Sequence, residues 1–150
     1  MAGRYFDEWH VGDRIEHPIR RTVTETDNLL FSTMTHNPQP LHLDIEAAKA
    51  SEFGRILVNG TFTFALMVGV SVGETTLGTL VANLGYDKLV MPKPVFIGDT
   101  MRATSEVIDL KDSKSRPTAG IVTFAHELTN QRDEVVCRCT RSALLHRKPA

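Results

Sequence analysis

From about Leu80 onward the apolar positions recur every second residue. Met101, Ala103, Ser105 and Val107 share one face of a run, and Val122, Phe124, His126 and Leu128 share one face of the next. A third run, Val135 to Leu145, sets Val135, Cys137, Cys139, Arg141 and Ala143 against Val136, Arg138, Thr140 and Ser142. Side chains alternate between the two faces of a strand, so this period predicts strands with one face on a core. Turn-forming residues at Ile97-Gly98-Asp99 and Asn130-Gln131-Arg132-Asp133 predict hairpins, and the second half should therefore be an antiparallel sheet.

The run TFTFALMVGVSV, Thr61 to Val72, has a different pattern: it is apolar on every side. A helix of that kind is expected to be buried all round. Before it, a turn at Val11-Gly12-Asp13 leads to a strand through Arg20 to Thr24, then a helix from Asn28 to Met34 with Thr26 or Asp27 as N-cap. The segment His36-Asn37-Pro38-Gln39-Pro40 contains two X-Pro steps, which disfavour helix at Asn37 and Gln39 and predict a stiff, shaped turn. Asp44 is placed to cap a short helix, Ile45 to Ser51, with Glu46 in its first turn and Gly54 as a stop. One central helix followed by successive strands predicts an α+β fold with an antiparallel sheet wrapped around the helix. No repeat, low-complexity tract or linker interrupts residues 1–150, so a single domain is expected.

Composition narrows the function. With 17 Lys+Arg against 18 Asp+Glu the 150-residue chain has a net charge of -1, too balanced to supply the basic field that nucleic-acid binding needs. The opening residues contain no apolar signal core. The most apolar stretch, Phe62 to Val72, is about half the roughly 20 residues that span a bilayer. Secretion and membrane insertion are disfavoured, and a cytoplasmic protein is expected. Cys137 and Cys139, the only cysteines, would share one strand face; they are expected to be small core or surface residues and not a redox or metal pair.

Candidate chemistry concentrates between residues 35 and 60. The chain reads THNPQPLHLD, then EAAKASEFG, then ILVNG, and outside this core it reads FDEWHVGDR near the start and PKPVFIGDTMRATSEV before the strands. This combination resembles the MaoC-like dehydratase and (R)-specific enoyl-CoA hydratase family, over most of the chain. Aligned on His42, the family's catalytic aspartate falls on Asn37, its motif asparagine on Gln39, and the histidine before the helix glycine on Asn59.

The resemblance implies a hot-dog fold, with a homodimer or an assembly of dimers holding an acyl-CoA tunnel at the interface. It also implies reversible hydration of a 2-enoyl-CoA, or dehydration of a 3-hydroxyacyl-CoA, without a metal or cofactor beyond the substrate's own coenzyme A. His42 is the candidate base, since imidazole is the side chain that titrates near neutral pH. Asn37 cannot exchange protons, but its carbonyl can accept a hydrogen bond from water and position it. Gly60, which opens the central helix, would turn its N–H and the helix dipole on the thioester oxygen. Gly60 is also expected to be a tight-turn glycine. Gln39, Asn59, Arg55 and His36 are the candidate substrate-binding residues. Arg55 would meet a second carboxylate if the acyl group is dicarboxylic and of the mesaconyl type. Two rivals stand beside this reading: a hot-dog thioesterase, disfavoured because Thr61 to Val72 holds no Asp or Glu, and an acyl-CoA binding module that lost catalysis when Asp became Asn.

Overall fold

The computed structural model describes residues 3–149, and its strands follow the period-two runs. They are β1 (Arg14–Glu16), β2 (Arg21–Thr22), β3 (Leu80–Val90), β4 (Thr100–Asp112), β5 (Ala119–Thr129) and β6 (Val135–His146). The helices are α1 (Glu25–Met34), α2 (Pro40–Leu43), α3 (Ile45–Ala50) and α4 (Gly60–Thr75). The sheet runs in the order β1-β4-β5-β6-β3 with every pair antiparallel, and β2 adds to β4.

The alternation seen in the sequence is the alternation of burial. Met101, Ala103, Ser105 and Val107 on β4 and Val122, Phe124, His126 and Leu128 on β5 all face inward. So do Cys137, Cys139, Arg141 and Ala143 on β6. Helix α4 packs on this face, with Met67 and Val70 set against Met101, Leu128, Val136 and Cys139. Burying a side chain of this size contributes about 1.5–3 kcal/mol. A second cluster fills the other end of the sheet, where Trp9 meets Phe124 edge to face at 5.3 Å. Both cysteines are free and buried, and burial raises their thiols to about 12 for Cys137 and about 11 for Cys139. They are therefore held as unreactive thiols.

Several elements depart from the sequence reading. Helix α1 starts at Glu25, because Thr24 caps it: Thr24 Oγ1 accepts from the Asp27 N–H at 3.3 Å while Asp27 accepts from the Thr24 N–H at 2.8 Å. That reciprocal pair sets the start one turn earlier than Asn28. The segment ahead of His42 is not turn throughout, since Pro40, with φ already fixed near helical values, opens α2. Asp44 does cap α3, accepting from the Glu46 and Ala47 amides, and α3 ends at Ala50. The strand expected over 20–24 shrinks to the two residues of β2. Ile97-Gly98-Asp99 is a tight turn but not a hairpin, because β3 pairs with β6 and not with β4. Helix α4 extends three residues past Val72 and is not buried all round: Thr61, Ala65 and Gly69, spaced by four, form an exposed stripe.

Candidate active site

The motif segment is held by a set of amide hydrogen bonds centred on Asn28, a residue the sequence gave no reason to single out. Buried on the inner face of α1, Asn28 donates from Nδ2 to the His42 carbonyl and accepts at Oδ1 from the Asn59 N–H, each at 2.9 Å. Asn59 is likewise buried: its Oδ1 caps α4 by accepting from the Thr61 N–H at 3.0 Å, and its Nδ2 donates to Ser32 Oγ at 3.2 Å. Both ends of that amide are engaged inside the protein, so Asn59 builds the start of α4. Its only sequence signal was its place before Gly60.

His42 lies on α2, with Nδ1 2.7 Å from the Leu57 carbonyl oxygen. A carbonyl can only accept, so Nδ1 carries the proton, and in the neutral ring Nε2 carries the free lone pair. This is the tautomer a general base requires. Leu57 ties the histidine to the next feature, because it lines a pocket of about 300 Å³ together with Phe53, Gly60 and Met91. Among the described residues nothing accepts from the Gly60 N–H: the Asn59 side chain takes the Thr61 amide, and the Asn59 carbonyl takes that of Thr63. Gly60 does not adopt a positive φ, contrary to the tight-turn reading. A Cβ there would stand 2.6 Å from Met91 Sδ, so any side chain at this position would have to push the thioether aside.

Of the candidates only Gly60 lines this pocket; His42 reaches it through Leu57, and the rest sit outside its lining. Asn37 Oδ1 accepts from the Gln39 N–H at 3.1 Å, an Asx turn that leaves one lone pair and both Nδ2 hydrogens. His36 is exposed and holds a left-handed φ of 53°, and Gln39 is exposed as the residue before α2. Arg55 is exposed and lies flat over the Phe96 ring at 3.8 Å, next to the pocket residue Val95. A larger hollow of about 420 Å³ is lined by Ser105, His126 and Cys139 as well as Ala125, and by none of the candidate site residues. Its rim mixes Arg14, Lys88 and Arg138 with Glu106 and Glu127.

A second polar constellation lies toward the far end of α4. Glu74 Oε2, His17 Nδ1 and Nε2, Ser105 Oγ and His126 Nδ1 form a chain with three contacts of 2.7 Å. Next to it Arg141, fully buried, donates to Asn83 Oδ1 at 2.8 Å and to Thr76 Oγ1 at 3.4 Å. Burial, and then the nearby charges of Arg141 and His17, lower His126 to about 3, so it is neutral at pH 7. The strand period had placed Ser105, His126 and Arg141 inward. It could not supply His17 and Glu74, which meet across 57 residues.

No group of His, Cys, Asp or Glu among the described residues is placed to hold a metal, and no helix there is long and apolar enough to cross a membrane.

Comparison with known proteins matches residues 8–129 to the MaoC like domain. Over 147 residues the chain is 33% identical to a mesaconyl-CoA hydratase of Cereibacter sphaeroides, covering 98% of this chain and 42% of that protein. It is 29% identical to a β-methylmalyl-CoA dehydratase of Chloroflexus aurantiacus, covering 97% and 41%. The chain thus spans about two fifths of these curated relatives. Among solved structures, a MaoC-like dehydratase from Rhodospirillum rubrum superposes with a TM-score of 0.85 at 33% identity, over 99% of this chain and 100% of that one. A Mycobacterium tuberculosis protein described as a double hotdogfold gives 0.89 at 22% identity, over 98% and 45%. The fold is the hot dog.

Proposed function

The chain belongs to the MaoC-like domain family, and from that membership we propose that it catalyses reversible hydration of a 2-enoyl-CoA to the 3-hydroxyacyl-CoA. One observation carries the reading: His42 has its proton fixed on Nδ1 by Leu57, and Leu57 lines the same pocket as the Gly60 amide. In the hydration direction Nε2 of His42 takes a proton from water as the oxygen adds to C3. The Gly60 N–H, backed by the dipole of the 16-residue α4, meets the negative charge that develops on the thioester oxygen. The proton held by His42 then goes to C2, so that one water and one enoyl thioester give one hydroxyacyl thioester. Asn37, through its remaining lone pair and its Nδ2 hydrogens, orients the water.

The acyl group we favour is short and dicarboxylic, of the mesaconyl type named for the Cereibacter relative. A neutral Asn37 supports this. Two carboxylates 4 Å apart repel by about 4 kcal/mol at an effective dielectric of about 20. Arg55, exposed beside the pocket, supplies a cation for the second carboxylate. We read the working form as a cytoplasmic homodimer, supported by the open α4 stripe and by the exposed Leu84, Tyr86 and Leu89 of β3, at the edge of the sheet.

The thioesterase reading loses further support. The single carboxylate of α4, Glu74, is bound to His17 toward the end remote from Gly60. Incubation with crotonyl-CoA and with a dicarboxylic enoyl-CoA separates the readings. Loss of the enoyl absorbance with appearance of a hydroxyacyl thioester supports hydration. Release of free thiol would mean a thioesterase, and binding without turnover would mean a non-catalytic module.

A further inference from the structure

We propose that Met91 is the specificity-determining residue of this pocket, its side chain covering Gly60 and setting how large an acyl group can be seated there. The inference rests on the reading that a thioester is drawn to the Gly60 amide, and it adds what limits that approach.

Met91 directly follows the last residue of β3 and precedes Pro92-Lys93-Pro94. A Cβ built on Gly60 would stand 2.6 Å from its Sδ and 3.4 Å from its Cε, so the thioether packs on the Gly60 α-carbon. The amide of Gly60, the group with no acceptor among the described residues, is one bond away from that carbon. Any acyl chain whose carbonyl oxygen reaches this amide must share the space the thioether fills.

Four of the other walls cannot yield in the same way. Val58, Val95, Val136 and Thr63 line the pocket at 2%, 4%, 0% and 3% exposure, and all four are β-branched with stiff χ1 angles. Met91 is 43% exposed, unbranched and turns about three bonds, so it can swing without opening the core. The main chain on its C-terminal side is held by two prolines with fixed φ. Adaptation is therefore confined to the side chain. Of the apolar walls next to Gly60, residue 91 is the one whose size translates directly into room for the acyl group. A smaller residue there should admit longer or branched chains, and a rigid aromatic should exclude them.

The test compares wild type, Met91→Ala and Met91→Phe by two readouts. The first is the ratio of kcat/KM for 2-hexenoyl-CoA to that for crotonyl-CoA. The second is the ratio of Kd for the saturated thioesters hexanoyl-CoA and butyryl-CoA, measured by calorimetry. One methylene in an apolar pocket is worth tenfold or more in discrimination. Met91→Ala should therefore move both ratios about tenfold toward the longer chain, and Met91→Phe should move them the opposite way. Ratios that stay within twofold in both folded variants overturn the proposal. If wild type hydrates neither enoyl-CoA, the hydratase reading falls, and the Kd ratios still decide on Met91. A tenfold shift keeps it as the wall of a binding pocket, while no shift, or no thioester binding at all, removes it.

Discussion

Two histidine clusters are attached to the two ends of α4, and they draw on much the same side chains. At the Gly60 end, His42 uses one nitrogen on the carbonyl of the pocket residue Leu57 and leaves the other without a partner among the described residues. At the Glu74 end, His17 has both nitrogens bonded and no exposed side-chain surface, and His126 is bonded to Ser105 at one nitrogen and sealed at the other. His17 Nδ1–H donates to the Glu74 carboxylate, and Ser105 Oγ stands between His17 Nε2 and His126 Nδ1, donating to one and accepting from the other. A Glu-His-Ser sequence of contacts is the arrangement that activates a nucleophile when it is open. Here Ser105 is 2% exposed, and the same contacts join the residue that follows β1 to α4, β4 and β5. Residue type does not separate the two clusters; burial does, since His42 is half-buried while His17 and His126 are shut inside the protein.

The sharpest way to break this contrast is to remove one member from each cluster. His42→Ala should lower kcat by about 10²-fold or more, the scale of a lost general base, with only a small change in melting temperature. A loss below fivefold in turnover assays of the folded variant would place the base elsewhere. Ser105→Val should do the reverse. It strands two buried imidazole nitrogens at about 1–3 kcal/mol each, so thermal or urea unfolding should show about 2–6 kcal/mol of lost stability. Its kcat well below the melting point should match wild type, and a hundredfold fall in kcat with unchanged stability would turn the buried chain into the active centre.

Acid sharpens the comparison further. Unfolding exposes His126, whose pKa then rises from about 3 toward the 6.5 of an ordinary imidazole. The unfolded chain thus binds the extra proton in this window. Stability contributed by His126 is complete above about pH 6.5 and falls with decreasing pH, by about 1.4 kcal/mol per unit down to about pH 3. Urea titrations from pH 7 to pH 4 should show this slope, and His126→Gln should flatten it by about one proton. An unchanged slope would mean that another group carries the acid sensitivity. The smallest effect is expected at the open end: Asn37→Asp should shift preference from the dicarboxylic thioester toward crotonyl-CoA by about tenfold, the equivalent of 1.4 kcal/mol of repulsion. Equal acceleration of both substrates would show that charge matching is not what Asn37 provides.

Much of this was legible in the sequence because it depends on short-range periodicity. The inward faces of β4, β5 and β6 follow from alternation, and the Asp44 cap from its position before an apolar turn. The motif put His42 ahead of Gly60, although only the structure shows which nitrogen is free. What escaped depends on contacts between distant segments or on space. Asn28 reads as an ordinary helix residue until His42 and Asn59 arrive from 14 and 31 residues away. The limit on Gly60 comes from Met91, not from its own backbone. The open stripe on α4 was hidden because small residues look apolar in a pattern whether or not anything covers them.

The edge strand β3 carries a consequence for solubility. An unpaired, apolar edge is a template for runaway strand pairing, and Leu84, Tyr86, Leu89 and Val90 would make β3 such a template. Yet its register against β6 slips three times, between Leu80 and Ala82, Asn83 and Gly85, and Asp87 and Val90. Lys88 adds a left-handed kink at φ 52°, and Asp87 and Lys88 both face solvent. Irregularities of this kind twist an edge away from a flat ladder and leave few consecutive amides in line. The strand can therefore expose an apolar surface while offering little purchase to a stack of identical copies.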